Sequence, residues 1–184
     1  MYKHCSTEES ALRQREFENC LLELMTQAPY SQITISDICQ RVGLSRKSFY
    51  RYFGSKEDCL HALIDHSIME FSSAYLPDSA MSQRDLYEYY FRYWKGLSPL
   101  LTALCQNQLT TCFFERTMLC MDKEEHELRH FLQVHSRDDS YEQILFMVCG
   151  ITGILINWHN SGYRKTPAQM ASTVDRLIQN TFPA

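Results

Sequence analysis

The chain has 184 residues, 45% hydrophobic and 22% charged, with a net charge of −4, which is ordinary for a soluble globular protein with a sizeable core. Only 6 Gly and 5 Pro are present, and interior helices avoid both, so an all-α fold is expected. The N-terminus "MYKHCSTEES" is polar and reads as no secretory signal, and the longest uncharged apolar run, residues 144–158, falls short of the ~20 residues that cross a bilayer.

Ser6 or Thr7 can cap a first helix, with Glu8 and Glu9 at its positive end and Pro29 closing it. In "ITISDICQRVG" Thr34 caps a second helix of about two turns. Asp37, three residues on, can reach back in a capping box. Ile33 can staple onto Ile38, and Gly43 ends the helix in a left-handed turn. Ser45 caps a third helix, "RKSFYRYF", whose apolar side is Phe49 and Phe53. Gly54 breaks it. Ser55 then caps a fourth helix, and Asp58 completes a second box. "YLPDSAMSQ" (75–83) reads as a linker. Further helical patterns run roughly over 83–95, 98–120 with a break near Asn107, 123–134, 139–161 and 167–181, about nine helices in all.

Charge is uneven. Residues 31–56 carry +4, from Arg41, Arg46, Lys47, Arg51 and Lys56 against Asp37, while residues 57–184 carry −6. A small basic segment on an acidic body suits a localised anionic partner such as nucleic acid. The segment is two short helices joined by "GLS", a helix-turn-helix pattern. Its second helix is too polar for a core. It offers cations, hydroxyls and an aromatic hydroxyl to a major groove wide enough for one helix.

The stretch "ITISDICQRVGLSRKSFYRYFGSKEDCLHALI" resembles the DNA-binding region of the TetR (tetracycline repressor) family. The shared features are the apolar-Thr helix start, Gly43, the Ser45 cap, the aromatic block Phe49 to Phe53, and Ser55-Lys56-Glu57. The resemblance covers about residues 8–66. "CGITGILINWHNSGYRKTPAQMA" is similar to the last two helices of members with a dihydroxyacetone-kinase-regulator-like C-terminal half. It implies an all-α homodimer on palindromic double-stranded operator DNA; the polar N-terminus and the cysteine usage point to a cytoplasmic protein. Residues 1–56 would form the DNA-binding domain and residues 57–184 the helical effector-binding and dimerisation domain. Repression is the usual role. Thr34, Ser48, Tyr50, Tyr52 and Lys56 match phosphate-contacting positions. Ser36, Ser45, Arg46, Lys47 and Arg51 stand where bases or nearby phosphates are in reach, and the fork of Arg46 matches the O6 and N7 of guanine. Lys47 replaces the glycine of many members.

In the C-terminal body, Gly150, Ile151, Gly153, Ile154, Leu155 and Trp158, with Val174, Leu177 and Ile178, are candidates for an isologous four-helix dimer interface or for intrachain core. Tyr87, Tyr90, Phe91 and Trp94, with Phe113, Phe114, Met118 and Met147, could line a cavity for a small apolar or aromatic effector, or fill it. No cofactor and no catalytic residue is expected.

Two rivals compete. "HELRH" (126–130) has the H-E-x-x-H pattern of zinc proteases, with His126 and His130 as ligands and Glu127 as base. Such enzymes need a third ligand, and Gln133 and Ser136 stand where the extended motif has Gly and His. No metal site is expected. The other rival is an adaptor that uses the same fold for protein contacts, against which the cationic helix argues. The eight cysteines form no C-x-x-C and read as free thiols of a reducing compartment.

Overall fold

A computed structural model describes residues 2, 5, 7–75, 82–123 and 140–181. The described residues form nine α-helices and no strand: α1 (Glu8–Met25), α2 (Ile35–Val42), α3 (Arg46–Phe49), α4 (Lys56–Tyr75), α5 (Gln83–Gly96), α6 (Ser98–Gln106), α7 (Thr110–Lys123), α8 (Ser140–Asn160) and α9 (Pro167–Thr181). The expected helix over 123–134 lies almost wholly outside the described residues. The chain divides into two compact units, Met1–Met69 with Thr102–Arg116, and Glu70–Leu101 with Thr117–Ala184.

In the first unit each short helix is delimited by local chemistry. Thr7 caps α1 in a reciprocal box with Ser10. α1 stops at Met25, ahead of the expected close at Pro29, where the Thr26 backbone N–H and its hydroxyl both turn back to the Glu23 carbonyl. A 3-10 turn, Tyr30–Gln32, then leads to α2. The core is aromatic. Phe17, Phe49 and Phe53 are buried, with Phe17 edge-on to Phe49 at 5.4 Å and Phe49 5.1 Å from Phe53. Ile33 and Ile38, the expected staple, are both buried.

Three helices of this unit are braced by polar contacts around two buried acids. Glu18 of α1, wholly buried, pairs with Arg15 at 3.2 Å and with His66 of α4 at 2.9 Å. Next to His66, buried Asp65 accepts from Arg116 Nε of α7 at 2.7 Å and from the Tyr2 hydroxyl at 2.7 Å. Removing one partner of such a pair leaves an uncompensated buried charge, which is costly.

The second unit is built around α5, which packs along α9 and also meets α8. Leu86, Tyr87, Phe91 and Trp94 turn inward from α5. Ile144, Met147, Ile151, Leu155 and Trp158 recur every three or four residues and bury one face of α8. Trp158 sits edge-on to Phe91 at 5.4 Å and to Tyr163 at 4.7 Å, and its indole N–H donates to the Lys165 carbonyl at 3.0 Å. α8 ends in two left-handed residues, Gly162 (φ 73°) and Tyr163 (φ 56°). The strained Tyr163 is held by its hydroxyl 2.6 Å from His159 Nδ1.

α8 is longer than its uncharged run. Tyr141–Asn160 spans 20 residues at mean hydropathy 1.3, long and apolar enough to cross a membrane. Polar Tyr141, Gln143, His159 and Asn160 extend the helix, and Glu142 is its one charge. Its one-sided burial is the pattern of a core helix, which passes the same length test.

Candidate nucleic-acid interface

The site is two helix starts and one turn. Thr34 stands before α2 with extended backbone (φ −107°, ψ 159°), and its hydroxyl accepts from the Asp37 N–H at 3.2 Å. The Asp37 carboxylate takes the Thr34 hydroxyl at 2.7 Å and its N–H at 2.8 Å. Those bonds, the hydroxyl's first, hold the Asp37 carboxyl below the ordinary aspartate range. α2 ends at Gly43 in the left-handed conformation (φ 75°, ψ 25°), with the Leu44 N–H donating to the Cys39 carbonyl at 3.0 Å. Nothing lies within 4 Å of where a Cβ would stand on Gly43, so the backbone angle, not space, asks for glycine.

Ser45 then caps α3 by accepting from the Ser48 N–H at 3.2 Å, with the two hydroxyls 3.1 Å apart. Regular α-helix lasts four residues rather than the eight expected. At Tyr50 ψ is −6°, and the bonds tighten to Arg51 N–H on Ser48 C=O and Tyr52 N–H on Phe49 C=O. Phe49 and Phe53 both remain in the core. The second box is also altered: Ser55 caps Asp58, but the Asp58 carboxylate takes the Gly54 N–H at 3.1 Å.

Three expected DNA-contacting residues come together. Arg46 donates to the Ser36 hydroxyl at 3.3 Å and to the Tyr50 hydroxyl at 3.2 Å, with its guanidinium 5.9 Å from the centre of the Tyr50 ring. This fixes a long side chain on the outside of the unit. Thr34, Ser36, Ser45, Arg46, Lys47, Tyr50 and Arg51 are exposed, and Ser48 and Tyr52 half-buried. Lys47 and Arg51 pair with no acid among the described residues. Arg41 does, reaching Glu23 at 3.4 Å.

Lys56 is placed differently. Its ammonium turns inward and donates to the carbonyls of Tyr30 and Ile33, each at 2.6 Å, while lying 4.1 Å above the centre of the Tyr30 ring. Two of its three N–H groups are thereby taken up by backbone carbonyls. Sequence reasoning missed Tyr30, whose carbonyl lies 26 residues before its partner.

Burial disfavours the thiolate at three cysteines of this unit. Burial first, and then Glu23, push the Cys20 thiol up to about 11; burial also raises Cys39 and, well above the usual range, Cys59. All eight cysteines are free.

Residues 21–63 match the family described as bacterial regulatory proteins, tetR family. Residues 85–180, more than half the chain, match the family described as transcriptional regulator C-terminal region. The chain belongs to the TetR family of transcriptional regulators. It has the fold of that family's DNA-binding regulators.

Among solved structures, the chain is similar to a putative TetR-family transcriptional regulator from Syntrophomonas wolfei str. Goettingen, with TM-score 0.66 and 17% identity over 93% of this chain and 95% of that one. It is also similar to the dihydroxyacetone kinase operon activator DhaS (TM-score 0.63, 18% identity, 91% and 94% covered). A third likeness is the fatty acid degradation regulator FadR from Bacillus halodurans (TM-score 0.61, 15% identity, 92% and 96% covered). At these identities the likeness is one of fold. No curated protein matches the sequence.

In this TetR-family chain the expected pocket residues are divided. Phe113 and Phe114 fall in the first unit; Tyr87, Tyr90, Phe91, Trp94, Met118 and Met147 fall in the second. Tyr87, Phe91, Trp94, Phe113 and Met147 are buried, and Tyr90, Phe114 and Met118 partly exposed. A groove of about 360 Å³ lies elsewhere, lined by Arg84, Lys165, Ala168, Gln169, Ser172 and Thr173.

The expected dimer residues are divided too. Ile151, Leu155, Trp158 and Val174 are buried within the one chain, which leaves their side chains little surface for a partner. Gly150, Gly153 and Leu177 are exposed, and Ile154 and Ile178 half-exposed. Exposed Phe146, on the same outer face of α8 as Gly150 and Gly153, was not foreseen. The HELRH segment lies outside the described residues.

Proposed function

We propose that this regulator is a homodimeric repressor that binds palindromic double-stranded operator DNA in the cytoplasm and is released by a small-molecule effector. The observation that supports it best is Arg46, held outward at the start of α3 by Ser36 and Tyr50, beside Lys47 and Arg51. A guanidinium fixed in this way loses little freedom on meeting a guanine edge. Thr34, Ser45, Ser48, Tyr50 and Tyr52 supply hydroxyls for phosphates around it.

Residues 1–56 act as the DNA-binding domain, and residues 57–184 hold the effector and the dimer interface. The outer faces of α8 and α9, with Gly150, Gly153, Ile154, Leu177 and Ile178, meet their symmetry copies; the two glycines allow close backbone approach. The effector is small and apolar or aromatic, lodged among the aromatic side chains of the second unit around Tyr87, Tyr90, Phe91 and Trp94. If it binds better to a geometry that does not fit DNA, linkage requires it to weaken DNA binding by the same coupling energy. No catalysis is assigned. The zinc reading of HELRH still lacks a third ligand at workable spacing.

The full-length protein, incubated with a random-sequence duplex pool, is expected to enrich a palindrome. Affinity for that duplex should fall on the order of 10³-fold between about 50 and about 200 mM salt if six or more phosphates are contacted. An adaptor or a hydrolase enriches nothing, and a salt-insensitive affinity would sink the reading. Placing the palindrome before a reporter gives the sign. Expression that rises when the regulator is absent supports repression. Expression that falls supports activation, the activity in the name of one structural neighbour.

A further inference from the structure

The turn between α1 and α2 is clamped from two distant places. Pro29 (φ −57°, ψ 135°) leads into the 3-10 turn Tyr30–Gln32. The first N–H of a helical turn has no acceptor within the turn. Here the Tyr30 N–H donates to Asn107 Oδ1 at 2.5 Å, 77 residues away in sequence. Asn107 is itself aimed. Its side-chain Nδ2 donates to the Ala103 carbonyl at 2.8 Å, and its backbone N–H to the same carbonyl at 3.2 Å. A flipped amide would set two donors against each other at Tyr30 and an acceptor against the Ala103 carbonyl, so the orientation is fixed. The corner that carries Asn107 is closed by left-handed Gln108 (φ 58°) and by the Leu109 N–H on the Leu104 carbonyl at 2.8 Å.

The other end of the turn is held by Lys56, through the Tyr30 and Ile33 carbonyls. Ile33 immediately precedes Thr34, which opens the α2 capping box. The position of this turn is therefore the position of the start of α2.

We propose that Asn107 is a positioning residue for DNA binding: from the corner between α6 and α7 it holds the Tyr30 backbone, and so sets where α2 begins relative to the rest of the reading head. The proposal rests on the DNA-binding reading above. Asn107 itself touches no DNA. The chain enters the first unit at Thr102, within α6, and leaves it at Arg116, within α7. Asn107 lies in that excursion.

The test compares Asn107→Ala and Asn107→Asp with the wild-type full chain. Hydrogen exchange is read over residues 30–38, and affinity over a salt series on the duplex that the wild type selects. Asn107→Ala should exchange faster at Tyr30 and in the first turn of α2. It should bind about tenfold more weakly with an unchanged salt slope, because no phosphate contact is lost. Asn107→Asp keeps an acceptor for the Tyr30 N–H but sets its second oxygen against the Ala103 carbonyl, so it should recover only part of both effects, a recovery that a general loss of packing at the corner does not predict. Wild-type exchange over residues 30–38 in Asn107→Ala overturns the proposal. So does an alanine-variant affinity within about twofold of wild type. If the wild type selects no duplex, the DNA-binding reading is what fails, and the exchange comparison alone decides whether Asn107 sets the start of α2.

Discussion

α2 and α3 together hold twelve helical residues, whereas α8 alone holds twenty-one. The short pair is made of caps and turns whose chemistry is local: Thr34 with Asp37, Gly43 between the helices, Ser45 with Ser48. Because caps and two or three buried side chains suffice to hold these helices, the remaining residues face outward and none is needed for the core. Arg46, Lys47 and Arg51 are such residues. α8 is the reverse. Its inner face is consumed by packing, and the side chains that first suggest recognition, Trp158 above all, are core. Where a helix is held by its ends, its side chains are free for a partner; where it is held by its face, that face is already occupied.

The sharpest test of the contrast is in the long helices. Phe91 is fully buried edge-on to Trp158. Phe91→Ala should lower stability by about 3–5 kcal/mol, as deletions of buried aromatics do, read by thermal or denaturant melting. Leu177→Ala, at a site 47% exposed, should barely change the melting of a monomer and should act on dimer dissociation measured by ultracentrifugation. If both variants changed only the melting, α9 would be core on all sides and the division between inner and outer faces would be wrong.

Next comes the exposed helix. Arg46→Ala should leave melting unchanged within about 0.5 kcal/mol, as surface substitutions do. It should cost about 1–3 kcal/mol in operator binding and relax discrimination at one base pair of each half-site. Lys47→Ala should weaken binding to all duplexes alike and reduce the salt slope by about one per neutralised phosphate. A loss of stability in either variant without loss of affinity would place these cations in the fold, and the contrast with α8 would disappear.

These regions were legible in the sequence to different degrees, for a physical reason. A cap acts over three residues, so Thr34–Asp37 and Ser45–Ser48 can be seen in the sequence and are formed in the structure. The all-helical fold and the break near Asn107 followed from periodicity and the scarcity of Gly and Pro. Periodicity places a residue on a face but does not say what covers that face. Ile151 and Gly153 therefore looked alike, and only packing separates them. α3 appeared twice its regular length because nothing local marks the tightening after Tyr50. Lys56 and Asn107 were opaque because their partners lie 26 and 77 residues away.

The smallest expected effect concerns the cap at the start of α2. Asp37 is exposed, and its carboxylate is favoured first by the Thr34 hydroxyl and then by the Thr34 N–H. Its native pKa lies below the unfolded one. The stabilisation it brings is therefore fully present above the ordinary aspartate value, and it is lost as the pH falls through the depressed native value. Thr34→Ala removes the hydroxyl, both as donor to Asp37 and as acceptor for the Asp37 N–H, but keeps the backbone bond. NMR titration of the Asp37 carboxyl should show its pKa moving up toward the ordinary value without reaching it. Helix stability at neutral pH should fall by about 1 kcal/mol, the usual worth of an N-cap. An unmoved pKa in Thr34→Ala would mean that the backbone N–H alone holds the carboxylate. The Thr34 hydroxyl would then act at this helix start as an acceptor for the Asp37 N–H alone, and the fall in helix stability would measure that one bond.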